Sequence, residues 1–269
     1  MVISEVIKIL EEKLKDRNKV YTLVEFVTGF SRNYFICHSF EYVDNSKVDK
    51  LLELVDKVKQ GTPIQYITRE QYFYGYKFYV DENVLIPQPD TEILVEKCIE
   101  NVQNGAKILD MCTGSGCIAI ALKKKLQNAK VYALDISREA LNVAKKNAIM
   151  NDAEIEFIES NMFENLLEKD FDVIISNPPY IRKGEINSLP TEVKNEPILA
   201  LDGGDDGLKF YRELAVNSKK FLKNGGKLFL EIGYDQKEEV KVILQNECYS
   251  DIKVYKDYGD NFRVIEATN

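Results

Sequence analysis

Asn177-Pro178-Pro179-Tyr180 follows directly on the apolar run Phe171-Asp172-Val173-Ile174-Ile175-Ser176. Its residue types suit the gripping of a planar amide or amino nitrogen. Val173 to Ser176 has the length and β-branched content of a buried parallel strand, and two consecutive prolines cannot continue a hydrogen-bonded ladder, so the chain stops and turns there. Ser176 and Asn177 therefore stand at a strand's carboxyl end, where open α/β sheets bind ligands. Pro179 pushes Pro178 toward an extended conformation, and the Pro178 carbonyl stays free to accept a hydrogen bond. With the Asn177 side-chain oxygen, that makes a pair of acceptors for one NH2 group.

A second cluster lies upstream, in Asp110-Met111-Cys112-Thr113-Gly114-Ser115-Gly116-Cys117, at the end of a first strand. Gly114 and Gly116 let backbone approach a ligand closely and open the following helix, whose N-terminus faces the site. Asp135 follows Val131-Tyr132-Ala133-Leu134 at the end of a second strand, where a carboxylate can accept hydrogen bonds from ribose hydroxyls. Gly114-Ser115-Gly116-Cys117-Ile118-Ala119 also fits the G-x-G-x-x-A dinucleotide fingerprint, which raises nicotinamide-dependent hydride transfer as an alternative. Asp110 weighs against it. This carboxylate could accept the ammonium of S-adenosylmethionine, whereas an anionic pyrophosphate gains nothing from it. The Asn-Pro-Pro-Tyr turn has no role in hydride transfer either, so a cation-bearing adenosyl compound is the expected cofactor.

These residues need a sheet to hold them. Strand and helix patterns alternate over Lys107–Leu109, Ile118–Lys125, Val131–Leu134, Arg138–Met150, Ile155–Ile158, Val173–Ser176, Leu208–Leu222 and Lys227–Glu231, which predicts a parallel sheet with helices on both faces. Lys253–Val254 and Phe262–Glu266, around Gly259-Asp260-Asn261, read as a terminal hairpin. Residues 1–60 read as helical, with breaks near Asn18, Asn33 and Asp44-Asn45-Ser46, and carry no catalytic constellation. Residues 61–86 form a connector in which Tyr72, Tyr74, Tyr76, Phe78 and Val80 alternate with other residues and Gly75 marks a bend, as in a β-hairpin. Its aromatic stripe suits cross-strand packing better than base stacking. Residues 87–269 form the second domain.

Composition narrows the function classes. The 269 residues include 45% apolar and 30% charged residues, an ordinary globular balance, with no run of about 18 apolar residues such as a membrane span needs. Met1–Arg17 reads as an amphipathic helix and not as a secretory signal. His38 is the only histidine, and Cys37, Cys98, Cys112, Cys117 and Cys248 contain no C-x-x-C pair, so a zinc site, a Ser-His-Asp triad and a Cys-His dyad all lack material. No metal is therefore expected, and the odd cysteine count with no export signal fits a reducing, cytoplasmic setting. A formal net charge of -8 counts against sequence-independent nucleic-acid binding. Gly203-Gly204-Asp205-Asp206-Gly207 lacks the ending of a phosphate loop and reads as a turn opening the next helix. Lys123-Lys124-Lys125 reads as a solvated helix end.

Over nearly its whole length the chain resembles the PrmC/HemK protein N5-glutamine methyltransferases. The resemblance is carried by Gly61-Thr62-Pro63-Ile64-Gln65-Tyr66-Ile67, Val84-Leu85-Ile86-Pro87-Gln88-Pro89-Asp90-Thr91-Glu92, Asp110 to Gly116, Asn177 to Ile181, Glu196-Pro197 with Ala200-Leu201, Gly203 to Leu208, and Glu231-Ile232-Gly233. Asn-Pro-Pro-Tyr alone also occurs in adenine-N6 methyltransferases, whereas the first two blocks are more specific. The resemblance implies a small helical substrate-binding domain, a β-hairpin connector, and a Rossmann-like class I methyltransferase sheet, mostly parallel with an antiparallel last strand. It also implies class 1 peptide chain release factors as protein substrates. The resemblance further implies that Asn161 and Met162, in the loop after the third strand, lie against the adenine of S-adenosylmethionine. Gln88 stands where Arg is usual and Cys112 where Gly is common, which removes a charged fork and bears on how closely backbone at 112 approaches the cofactor.

The expected reaction moves a methyl group from S-adenosylmethionine to the side-chain amide nitrogen of the glutamine in a Gly-Gly-Gln motif, leaving S-adenosylhomocysteine. Asn177 and Pro178 would each accept one amide N–H, fixing the nitrogen in line and favouring the charge that develops on it, with Tyr180 a flat wall against the amide plane. Asn177, Pro178 and Tyr180 are thus the catalytic candidates, and Pro179 joins them in binding substrate. Asp110, Cys112, Thr113, Gly114, Ser115, Gly116, Asp135, Asn161, Met162 and Asn177 are the cofactor-binding candidates. The rivals are an adenine-N6 methyltransferase, which must unstack its base and hold a phosphate backbone, and a non-catalytic sensor of the adenosyl compound.

Overall fold

The computed structural model describes all 269 residues, in two compact units. The first comprises Met1–Arg69 together with Pro190–Asn195. Its helices are α1 (Ile3–Leu14), α2 (Arg17–Thr28), α3 (Arg32–Cys37), α4 (Asn45–Lys59) and α5 (Ile64–Thr68). Ile3, Val6, Ile7 and Leu10 recur at helical spacing and bury one face of α1 against Val20, Leu23 and Val24 of α2 and Leu51, Leu54 and Val55 of α4. Asp16 starts α2 by accepting the backbone N–H groups of Asn18 and Lys19, and Gly29 ends it in the left-handed conformation. Residues 190–195 close the unit where the Asn195 Nδ2 donates to the Gly61 carbonyl at 2.7 Å.

The second unit comprises Glu70–Leu189 and Glu196–Asn269. It opens with a hairpin of β1 (Gln71–Phe73) and β2 (Tyr76–Phe78). The expected single stripe of alternating aromatics is not formed. Tyr74 and Gly75 both take positive φ and reverse the chain, so the buried pair is Phe73 and Phe78, of opposite parity in sequence, and Tyr72 is exposed. Then come α6 (Thr91–Asn101), β3 (Lys107–Met111), α7 (Cys117–Lys125), β4 (Lys130–Asp135), α8 (Arg138–Met150), β5 (Glu156–Glu159) and β6 (Phe171–Ser176). After a long connection, the helix Lys209–Ser218 precedes β7 (Leu222–Glu231), and the helix Lys237–Asn246 precedes β8 (Ser250–Lys256) and β9 (Phe262–Thr268).

The order across the sheet is β5-β4-β3-β6-β7-β9-β8. β3 pairs in parallel with β4 and β6, β4 with β5, and β6 with β7, whereas β9 is antiparallel to both β7 and β8. The mostly parallel sheet with an antiparallel last strand is therefore as expected. Strand alternation divides the core: Ile108, Val131, Val173, Ile175 and Phe229 pack on the side of α6 and α7. Leu109, Leu134, Ile174, Leu228 and Leu230 pack with Tyr211, Leu214, Val240 and Leu244 on the opposite side. The helix expected to run to Leu222 ends at Ser218, because the Phe221 carbonyl accepts the Phe171 N–H at 2.9 Å and draws the chain into the sheet. No helix is long and apolar enough to cross a membrane.

Candidate active site

The carboxyl ends of β3, β4 and β6 border a cavity of about 420 Å³ in the second unit. Cys112, Thr113, Gly114, Ser115, Asp135, Asn161, Met162, Asn177 and Pro179 line it, so most of the residues singled out in the sequence converge. Asp110, Gly116, Pro178 and Tyr180 do not line it.

The glycine loop is held from several directions. The Thr113 N–H bonds the Leu134 carbonyl at 2.9 Å, and the Gly114 N–H donates to Asp135 Oδ2 at 2.8 Å. Gly114 has φ +54°, and a Cβ built on it meets nothing within 4 Å, so glycine here leaves bare backbone facing open space. Gly116 differs. Its Cβ would stand 3.1 Å from the Ala144 Cβ, so this glycine lets α8 approach the loop. Cys112 takes φ +62°, which explains why a glycine suits the position, and its Sγ lies 4.0 Å from the Met162 Sδ.

Asp110 sits wholly buried beneath the loop. Its Oδ2 accepts from Thr113 Oγ1 at 2.5 Å and from the Ala119 N–H at 3.2 Å, while Oδ1 has no partner. Burial raises its pKa to about 7 against those two hydrogen bonds. Asp135 receives Gly114 N–H on Oδ2 and Ser137 N–H, at 2.9 Å, on Oδ1. Burial still raises its pKa. The carboxylate keeps lone-pair capacity beyond these backbone contacts. Bare backbone at Gly114, those acceptors and the apolar wall of Ile136 and Met162 fit a group with one polar, hydroxyl-bearing edge and one flat apolar face.

Asn147 went unnoticed in the sequence. It is fully buried on α8, donates to the Ser115 and Tyr79 carbonyls at 2.9 Å each, and accepts the Tyr79 N–H at 2.7 Å, pinning the loop from behind. An Asn on the apolar face of an amphipathic helix was the available signal. Thr91, at the start of α6, and Leu199, Ala200 and Phe210 also line the cavity without having been expected.

The turn after β6 is braced on both sides. Ser176 Oγ donates to the Met111 carbonyl at 2.7 Å, tying the ends of β6 and β3 together. The Asn177 Nδ2 donates to Thr91 Oγ1 at 3.2 Å. That uses the donor end of the amide and leaves its oxygen for a ligand. Pro178 and Pro179 are buried, and the Tyr180 ring packs into the core, where burial and the Glu231 charge raise its pKa. Behind the turn, Gly203 lies so close that a Cβ would stand 2.7 Å from the Tyr180 Cα and 2.9 Å from the Pro179 carbonyl oxygen. The Gly203–Gly207 segment thus backs the turn as well as leading into the next helix. Gly203→Ala is expected to displace the turn and lower kcat at least about tenfold in a protein that still folds, as checked by steady-state kinetics beside circular dichroism.

The rim depends on a buried acid. Glu196 accepts the Ile86 N–H at 2.8 Å and joins two strips that line the cavity, residues 82–88 and 197–200. Burial raises its pKa to about 7, opposed by that hydrogen bond. Because its folded-state pKa lies above the unfolded one, the native state binds more protons between roughly pH 4 and 7 and loses stability as pH rises through that window. Glu196→Gln keeps the acceptor without the charge. It is expected to be more stable than the parent at pH 8, by roughly 1–3 kcal/mol, with the gain shrinking toward pH 5 in denaturant titrations. No group of three or more His, Cys, Asp or Glu side chains comes together to hold a metal ion.

Comparison with known proteins extends this geometry. Residues 88–192 match the methyltransferase small domain, and residues 2–68 match the PrmC N-terminal domain. The chain is 42% identical to the release factor glutamine methyltransferase of Fusobacterium nucleatum, over 94% of this chain and 73% of that protein. It is 38% identical to the protein of the same description from Thermodesulfovibrio yellowstonii, over 90% of this chain and 94% of that one. A crystal structure of a methyltransferase from Pyrococcus furiosus superposes with a TM-score of 0.58, covering 81% of this chain and 98% of that one at 20% identity, which shows a shared fold.

Proposed function

The chain belongs to the release factor glutamine methyltransferase family, and from that premise we infer that it methylates the side-chain amide nitrogen (N5) of the glutamine in the Gly-Gly-Gln motif of peptide chain release factors. The observation that carries this reading is the Asn177 amide, anchored through its nitrogen to Thr91 at the cavity wall so that its oxygen is the end left for a substrate N–H. The Pro178 carbonyl is the second acceptor. An amide nitrogen is a weak nucleophile because its lone pair is delocalised, and two acceptors on its hydrogens both fix its direction and stabilise the positive charge it gains. Tyr180, packed into the core behind the turn, keeps those acceptors in place.

S-Adenosylmethionine, when bound, supplies a methyl group on a sulfonium. Its adenosine is assigned to Asp135, to the backbone at Gly114 and to the strip Ser160-Asn161-Met162. Asp110 shapes the loop from below. Class 1 release factors are the assigned protein substrates, held in part by the helical unit. We place the reaction in the cytoplasm, with no metal and no nucleic acid required; the formal net charge of -8 supports a protein rather than a polyanion as partner.

The test offers labelled S-adenosylmethionine with purified release factors, undermodified DNA and undermodified RNA side by side, followed by peptide mass mapping. Label on the Gly-Gly-Gln glutamine is the expected result. Label in nucleic acid alone would overturn the substrate and transfer the same turn to an exocyclic amino group on a base.

A further inference from the structure

Pro178 and Pro179 carry no N–H, so the turn from Asn177 to Tyr180 must be held largely through its carbonyls. One of them has a buried side chain as its partner. Gln236, 2% exposed in the loop after β7, donates from Nε2 to the Tyr180 carbonyl at 3.0 Å and to the Gly207 carbonyl at 3.3 Å. Its Oε1 accepts the Gly233 N–H at 3.0 Å and lies 3.3 Å from the Tyr211 hydroxyl. These partners admit one orientation of the amide, since carbonyls only accept and the Gly233 N–H only donates. The other end of the same peptide unit is held as well, where the Ile181 N–H donates to the Leu201 carbonyl at 2.9 Å. A planar peptide gripped at both ends is fixed in direction.

We propose that Gln236 is a positioning residue that aligns the Asn177–Tyr180 turn for methyl transfer. This rests on the methyl-transfer reading above. Gln236 does not line the cavity, so it acts through the backbone it holds. Tyr180 ends the tetrapeptide, and with φ locked at both prolines a rotation of its peptide plane is passed back to the Pro178 carbonyl and to Asn177. The surrounding backbone is shaped to admit the amide. A Cβ at Gly207 would stand 2.5 Å from the Tyr180 carbonyl oxygen and 2.6 Å from the Gln236 Nε2, and one at Gly233 would stand 2.7 Å from the Gln236 Oε1. Removing the Gln236 NH2 takes a donor from two carbonyls at once, and the turn is then free to shift toward other partners. The acceptors that meet the substrate are thus aligned from the loop after the neighbouring strand.

Gln236→Met keeps the length of the side chain and removes its hydrogen bonds. Gln236→Asn keeps the amide, draws it back by one methylene and suits the start of the following helix, so it guards against a Met variant that fails to fold. At saturating release factor and S-adenosylmethionine, kcat is expected to fall about tenfold in each folded variant, with the cofactor dissociation constant unchanged. In isotope-labelled protein without any substrate, the Asn177 side-chain NH2 signals are expected to shift in both variants while the Gly114 amide signal stays in place. An unchanged kcat, a cofactor affinity that falls in step with kcat, or Asn177 signals that do not move would each overturn the proposal. A parent enzyme that leaves release factors unmethylated would defeat the functional reading instead, and the Asn177 signals would still decide whether Gln236 aligns the turn.

Discussion

Asn177→Ala is expected to lower kcat for release-factor methylation by about two to three orders of magnitude, while the dissociation constant for S-adenosylmethionine stays within about threefold of the parent value. The change removes the side-chain acceptor at the cavity and leaves the glycine loop and Asp135 untouched. The remaining acceptor, the Pro178 carbonyl, can hold only one of the two amide hydrogens, so the nitrogen is free to rotate out of line and its developing charge is less well met. Single-turnover methyl transfer beside calorimetric cofactor binding separates the effects. A parallel loss of affinity and turnover would make Asn177 chiefly a cofactor ligand.

The opposite division is expected at Asp135. Asp135→Ala should weaken S-adenosylmethionine binding by about a hundredfold or more, since hydrogen bonds to a charged acceptor are each worth roughly 1.5–3 kcal/mol, with a much smaller effect on kcat at saturation. Asp135→Asn is expected to do nearly as badly despite its shape. Both carboxylate oxygens already receive backbone N–H groups, from Gly114 and Ser137, and an amide would set its own NH2 against one of them. Equilibrium binding of the cofactor to the three proteins provides the check. Asn binding as tightly as Asp would show that the loop geometry does not depend on the paired acceptors.

Much of this site could be read in the chain because its chemistry is local. Two prolines after a β-branched run announce a strand end at Asn177, and the alternation of strands and helices sets Asp135 at another. What escaped was held by distance. Thr91 reads as an ordinary helix start, and only the folded sheet brings its hydroxyl to Asn177. Asn147 contacts Ser115 and Tyr79 through space. The two loop glycines look alike in sequence, yet one leaves open space and the other admits a helix. The aromatic alternation from Tyr72 to Val80 misled because parity carries meaning only within one strand, and a reversal at Tyr74-Gly75 resets it. The antiparallel last strand was implied by the family resemblance, as nothing in Phe262–Thr268 itself names its neighbours.

The discontinuous make-up of the helical unit bears on how the chain is made. Pro190–Asn195 belongs with Met1–Arg69, and its Asn195 amide holds the Gly61 carbonyl while Glu192 pairs with Lys19. During synthesis these residues leave the ribosome only after β3, β4, β5 and β6 have done so. The helical unit therefore waits, incomplete at Gly61, until most of the sheet strands have emerged. Its final closure is a late, non-local event of the kind that slows folding, although its helices precede the sheet strands in the chain.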